Sequence, residues 1–303
     1  MRKNGFMGGF YFFSCNFAID MNIHATIPYT LNIGGQLIAL DRPLVMGILN
    51  VTAESFYEAS QQHTAEAIAE RAQAIIREGG AIIDIGACST KPGLPPVSEE
   101  EEWRRLSWAL PIIRTAAPEA ILSVDTFRAS IAERCVSEYG VHIINDISGG
   151  KLDDQMFDTI ARLNVPYILT HHGGGACKEA MYDLAERIEQ LHRMGVNDIV
   201  VDPGFGFGKT LDENYALMAH LEELHLLHCP LLVGISRKSM IYKQLGCTPD
   251  EALNGTTTLH AVALMKGAHI LRVHDVKEAA EAISLIEKIK TLTKEFRSQE
   301  YRS

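Results

Sequence analysis

Eight short apolar runs, separated by segments of helical periodicity, constrain the fold of this chain more than any other feature. They are LVMGILNV (44–51), AIIDIG (81–86), ILSVDT (121–126), HIINDI (142–147), PYILTH (166–171), DIVVDP (198–203), PLLVGIS (230–236) and HILRVHD (269–275). Continuous apolar runs suit parallel strands that are covered on both faces, whereas a strand with one wet face would alternate. Between them, AEAIAERAQAIIREGG (65–80) and SEEEEWRRLSWALPIIRTA (98–116) repeat their apolar residues at helical spacing. Ser98 ahead of a glutamate-rich turn, and Gly79-Gly80 and Gly195 after other segments, mark helix starts and stops. Eight strand-helix units in 303 residues, without a Pro-, Gly- or Ser-rich linker, predict a single α/β domain folded as a (β/α)8 TIM barrel. A doubly wound open sheet is the alternative. TLNIGGQLIAL (30–40) alternates about Gly34-Gly35 and predicts a short N-terminal β-hairpin before the barrel.

Composition narrows the class. Hydrophobic residues make up 47% and charged residues 22%, as in globular domains, and the formal net charge is -10. An acidic surface disfavours nucleic acid and anionic membranes as partners. The cysteines at 15, 88, 135, 177, 229 and 247 form no Cys-x-x-Cys pair, so they read as reduced thiols of a cytoplasmic protein. Residues 1–20, MRKNGFMGGFYFFSCNFAID, resemble a signal peptide in outline but lack a small-x-small cleavage site, and Met21 follows at once. They are read as an extension, disordered or upstream of the native start, and residues 21–303 as the barrel domain.

Residues 202–209 read DPGFGFGK, with Thr210 next. A phosphate loop needs a glycine five positions before the Gly of its Gly-Lys pair, and that position holds Pro203. Gly204, Gly206 and Gly208 are evenly spaced, which also excludes the Gly-x-Gly-x-x-Gly dinucleotide motif.

In a (β/α)8 barrel the chemistry sits at the C-terminal strand ends. Here those ends carry Asn50, Asp84, Asp125, Asn145 with Asp146, His171 with His172, Asp202, Ser236 to Lys238, and Arg272 with His274. Any one alone is more often a helix cap than a ligand. A ring of them implies a polar pocket, since an unpartnered buried polar group costs about 1–3 kcal/mol. Asp125, Asn145 and Asp202 suit ring N–H and amino groups, Lys238 a ring carbonyl, and Arg272, His274 and Lys91 an anion. Asn50 offers a neutral oxygen to Mg2+ accompanying a pyrophosphate. The ligand so described is a hydrogen-bonding heterocycle with an anionic tail. His225, His228 and Cys229 lack the paired spacing of a metal site, and Cys88 reads as an ordinary thiol.

MGILNVTAESF (46–56), IIDIGACSTKPG (82–93), SVDT (123–126), HIINDISG (142–149), DPGFGFGK (202–209), LVGISRKSM (232–240) and ILRVHD (270–275) together resemble the dihydropteroate synthases, pterin-binding barrel enzymes of folate synthesis and sulfonamide targets. The resemblance runs over about residues 43–280. It implies condensation of 6-hydroxymethyl-7,8-dihydropterin pyrophosphate with p-aminobenzoate to give 7,8-dihydropteroate and pyrophosphate, with Mg2+, in a homodimer. Carried over position by position, Asp125, Asn145, Asp202 and Lys238 look like the pterin set, and Asn50, Arg272 and His274 the pyrophosphate and Mg2+ set. Phe207, Lys238 and Ser239 look like the p-aminobenzoate wall, and Thr90 and Lys91 match a closing loop. The segments 52–63 and 87–97 are the expected lid. Departures fall in these loops: TAESF replaces Thr-Pro-Asp-Ser-Phe, Cys88 stands for Glu, and Lys91 for Arg. Lysine keeps the charge but not the two-pronged grip on phosphate. A pterin-binding barrel without synthase activity and a methyltetrahydrofolate-dependent methyltransferase are the rival readings.

Overall fold

The structure, a computed structural model, describes residues 29–51, 61–88, 96–175 and 177–300, with backbone alone at 61–64 and 294–300. Eight parallel strands make its frame: β3 (Leu44–Asn50), β4 (Ile82–Gly86), β5 (Ile121–Asp125), β6 (Ile143–Asp146), β7 (Tyr167–Thr170), β8 (Ile199–Asp202), β9 (Leu232–Val233) and β10 (Ile270–Val273). Their order is β8-β7-β6-β5-β4-β3-β10-β9. A parallel bridge between Val201 and Leu231 joins the two outer strands, and the Val201 amide donates to Pro230 O at 2.9 Å. That contact makes the sheet a barrel and removes the open-sheet alternative.

The eight predicted runs coincide with the eight strands, β9 being much the shortest. Its weakness has a local cause: the Leu231 amide is taken by His269 Nδ1 at 3.0 Å, and Gly234 follows the strand. Helices α1 (Gln61–Arg77), α2 (Glu99–Ala116), α3 (Ala129–Tyr139), α4 (Met156–Leu163) and α5 (Cys177–Arg193) cover the first five crossovers. The sixth holds α6 (Leu211–Ala219) and a 3-10 stretch, Leu221–Leu227. The seventh departs from the simple unit by carrying two helices, α7 (Ser239–Leu245) and α8 (Leu253–Met265), before α9 (Val276–Glu300) closes the order. The predicted start of α2 holds: Ser98 Oγ accepts the Glu101 amide at 3.2 Å, and four glutamates occupy the first turn.

Burial divides along the strands by alternation. Residues such as Val45, Ile83, Leu122, Ile144, Leu169, Val201 and Leu271 pack outward against the helices. Their neighbours Met46, Ile82, Ile143, Ile168, Val200, Leu232 and Ile270 fill the inside, together with Leu31, Ile33 and Leu40 from the hairpin region. The hairpin is as expected, β1 (Thr30–Ile33) against β2 (Gln36–Ala39) with Thr30 opposite Ala39. Its turn uses Gly34 and Gly35 at φ 57 and 88. It stoppers the N-terminal end of the barrel, which leaves the opposite end as the mouth.

Leu31 is 2% exposed inside this plug, whereas Leu37 on β2 is 72% exposed. Leu31→Ala should cost about 2–5 kcal/mol in urea unfolding, and Leu37→Ala should stay within about 0.5 kcal/mol of the parent. Equal effects would show that the hairpin does not complete the core.

Candidate active site

Side chains two residues apart on a strand share a face. Two positions above the plug residues Ile82, Ile121, Ile143, Val200 and Ile270 stand Asp84, Ser123, Asn145, Asp202 and Arg272, and one further step up are Gly86, Asp125 and His274. Alternation thus delivers polar groups from five strands, far apart in sequence, to one interior level.

They meet around Arg272. Its Nε donates to Asp84 Oδ2 and its Nη2 to Asp125 Oδ2, each at 2.6 Å. Asp84 is fully buried and also accepts from Ser123 Oγ at 2.7 Å and Asn145 Nδ2 at 3.1 Å. Burial pushes the Asp125 carboxyl up to about 7 against the pull of Arg272, and neighbouring Asp84 and Asp146 add to the rise. On the far side Asp202 Oδ1 accepts the Gly204 amide at 2.8 Å, and burial raises its pKa too. Between the two groups lies Gly234, whose missing side chain would stand 3.8 Å from both Asp202 Oδ2 and Arg272 Cβ. The glycine keeps that space clear.

Lys238 comes from the turn before α7. Its ammonium donates to Phe205 O and lies 4.5 Å from the centre of the Phe207 ring, and burial lowers its pKa to about 8. Phe207 stacks on His172 with ring centres 5.3 Å apart. This forms a flat aromatic wall beside the polar ring. Ser239 begins α7 directly after Lys238.

The glycine stretch that failed as a phosphate loop has a structural use. Gly204 has φ 71, and a Cβ there would fall 1.9 Å from His171 O, so only glycine fits. Lys209 ties the loop inward, donating to Gly173 O at 3.1 Å and Gly204 O at 3.0 Å. Thr210 caps α6 in a reciprocal box with Glu213. The Gly-Lys-Thr sequence is therefore a staple followed by a helix cap.

Asn50 and His274 line one open cavity of about 390 Å³ at the top of β3, together with Arg71 of α1. Arg71 was not visible as a site residue in the sequence, where it is one polar position on an amphipathic helix. Its Nη2 donates to His274 O at 2.7 Å. Asn50 Oδ1 would be 3.0 Å from a Cβ at Gly86, so this glycine too makes room. Three strand-end residues turn away from the mouth instead. Asp146 accepts the Ser148 and Gly150 amides and the Tyr167 hydroxyl, His171 pairs with Asp183 of α5 at 2.7 Å, and Arg237 pairs with Asp275 at 2.9 Å. Thr90 and Lys91, and most of both expected lid segments, lie outside the described residues. Among the described residues no group of three His, Cys, Asp or Glu is placed to hold a metal, and His225 is bonded to Lys266 O at 3.0 Å.

This geometry has known counterparts. The family model for pterin binding enzymes matches residues 46–274. The chain belongs to that pterin-binding enzyme family. A dihydropteroate synthase of Escherichia coli (strain K12) is 39% identical over 269 residues, covering 84% of this chain and 94% of that protein. A Xanthomonas albilineans dihydropteroate synthase solved with 4-aminobenzoic acid superposes with a TM-score of 0.80 at 35% identity, covering 87% of this chain and 98% of that one. The same enzyme solved with 7,8-dihydropteroate gives 0.77 at 33%, covering 86% and 99%.

In this pterin-binding enzyme the pair at highest risk is Asp84 with Arg272, because removing one member strands a largely buried charge. Asp84→Ala should cost about 3–5 kcal/mol in chemical unfolding. A loss under about 1 kcal/mol, the range of exposed pairs, would mean that the network does not hold the mouth together.

Proposed function

We propose that the barrel mouth condenses 6-hydroxymethyl-7,8-dihydropterin pyrophosphate with p-aminobenzoate, releasing pyrophosphate and forming 7,8-dihydropteroate: a dihydropteroate synthase reaction. The observation that carries this reading is the set of Asp125, Asn145, Asp202 and Lys238 at the mouth, Asp125 held by Arg272, Asn145 by Asp84, Asp202 by the Gly204 amide and Lys238 by Phe205 O. It matches the edge of a pterin, which offers amino and ring N–H donors on one side and a carbonyl on the other. The relatives support it, being named for this reaction.

Asp125, Asn145 and Asp202 take the ring donors, and the Lys238 ammonium exchanges Phe205 O for the ring carbonyl. Phe207 and His172 form the flat surface for the arylamine, with Ser239 at its carboxylate end. The diphosphate tail points to Asn50, Arg272 and His274, with Arg71 as a further cation at that cavity. One neutral amide oxygen fits Mg2+, which keeps most of its shell as water and phosphate oxygen, and when bound this ion would neutralise diphosphate charge. Asn50 is the residue that would hold it. Diphosphate is already a good leaving group and the dihydropterin ring stabilises a methylene cation. The protein's task is accordingly to position the reactants, exclude water and stabilise charge, without a dedicated general base.

No described helix is long and apolar enough to cross a membrane, and a cytoplasmic location follows the reduced-thiol reading of the cysteines. A homodimer is supported by Leu285, Ile289 and Leu292, exposed at 69%, 51% and 38% on one stripe of α9. Sedimentation at micromolar concentration should find two copies, and a monomer would remove that part.

The reaction is tested by mixing protein, dihydropterin pyrophosphate, p-aminobenzoate and Mg2+ and measuring pyrophosphate, which should appear only when p-aminobenzoate is present. Absence of release alongside retained pterin binding would leave a binding protein without synthase activity. The pH dependence carries a sign. An ionised Asp125 accepts a ring N–H more strongly than a protonated one, so pterin affinity should rise through about pH 7; a protonated Lys238 donates more strongly than the neutral amine, so affinity should fall above about pH 8. A flat profile over this range would exclude both roles.

A further inference from the structure

Six buried side-chain polar atoms among the described residues make no hydrogen bond: Tyr29 Oη, Glu102 Oε1, Thr170 Oγ1, His171 Nε2, His260 Nε2 and His269 Nε2. One of them stands on the inward face of the barrel at the mouth. Thr170 ends β7 two positions after the plug residue Ile168, and in register it lies directly beside Asp202 on β8. On its other side β6 brings Asn145 level with Ile168. The residue is 1% exposed. Its methyl is the part turned to the glycine loop, Cγ2 standing 3.3 Å from where a Cβ on Gly204 would be.

Asp202 beside it, and Asn145 and Asp84 lower on the inner wall, all have partners within the protein. The Thr170 hydroxyl does not, and such an atom costs the folded protein about 1–3 kcal/mol. Valine has nearly the same shape and would fill the position without that cost. A buried hydroxyl without a partner, beside Asp202 and one inward step above Asn145, fits an atom whose partner arrives with the ligand.

We propose that Thr170 is a pterin-binding residue of this protein, its Oγ1 accepting an N–H of the bound heterocycle between the positions read by Asn145 and Asp202. The proposal rests on the pterin reading of the mouth given above. It extends that reading to a residue that the strand-end motifs do not single out, because threonine within an apolar run reads as an ordinary strand former. It also predicts an unusual separation of effects, since the same hydroxyl weakens the free protein and strengthens the complex.

Thr170→Val and Thr170→Ser would be compared with the parent by calorimetric titration of 6-hydroxymethylpterin, by thermal melting without ligand, and by steady-state kinetics. Thr170→Val should bind the probe about tenfold more weakly, melt at the same or a higher temperature, and keep its KM for p-aminobenzoate within about twofold. Thr170→Ser should retain the affinity to within about threefold. Equal pterin affinity in Thr170→Val and the parent would overturn the contact while leaving the functional reading intact. A Thr170→Val protein that melts well below the parent would overturn it as well, by showing that the hydroxyl supports the fold. If the parent does not bind the probe, the pterin reading falls and this contact falls with it.

Discussion

One guanidinium, that of Arg272, holds Asp84 and Asp125 within a space where two carboxylates would otherwise repel each other in a poorly solvated environment. Everything else at the mouth is arranged around that pairing. Asn145 and Ser123 both donate to Asp84, so this one buried carboxylate sets the direction of two side chains on neighbouring strands. Asp202 faces the same space from the opposite wall, separated from Arg272 by the gap that Gly234 leaves. Carboxylates exceed cations in the ring, and burial raises Asp125 and Asp202 while lowering Lys238. The mouth therefore gathers more buried carboxylate than it has cations to pair with it.

Such a network needs a rigid support, and the closed sheet supplies it. Each strand places an apolar side chain in the plug and a polar one two residues further on, so the dry core and the reactive ring are consecutive levels of one interior. The hairpin closes the lower end with Leu31, Ile33 and Leu40. Without that stopper the inner apolar level would face water, and the polar level above would lose its dry floor. Catalytic positioning and fold stability share the same strands, which is why a substitution at Asp84 touches both.

The loops add features that have no regular period. Glycine at 204 lets the chain pass close to His171 O after Asp202, and the loop then presents Phe207 to His172 and Lys238. Lys209 and Thr210 look like phosphate-loop residues in isolation but serve to fasten this turn. The resemblance of short motifs to unrelated loops thus dissolves once their hydrogen bonds are accounted for.

Local chain chemistry was enough to establish the eight strands, the hairpin, the capped start of α2 and the polar character of the strand ends. Apolar runs, turn glycines and capping residues act over a few positions, so their effects can be read without knowing what lies across the fold. Sequence motifs also carried the pterin-binding assignment. Orientation could not be read in the same way. Asp146, His171 and Arg237 sit in the strand-end motifs beside site residues yet face outward, because the phase of each strand end is decided by what packs against it. The contacts of Arg272 with Asp84 and Asp125 span 188 and 147 residues, Arg71 reaches the site from a helix, and the Thr170 hydroxyl is conspicuous only by lacking a partner. These belong to the tertiary structure alone, since long-range pairing and burial exist only after barrel closure has brought the strands side by side.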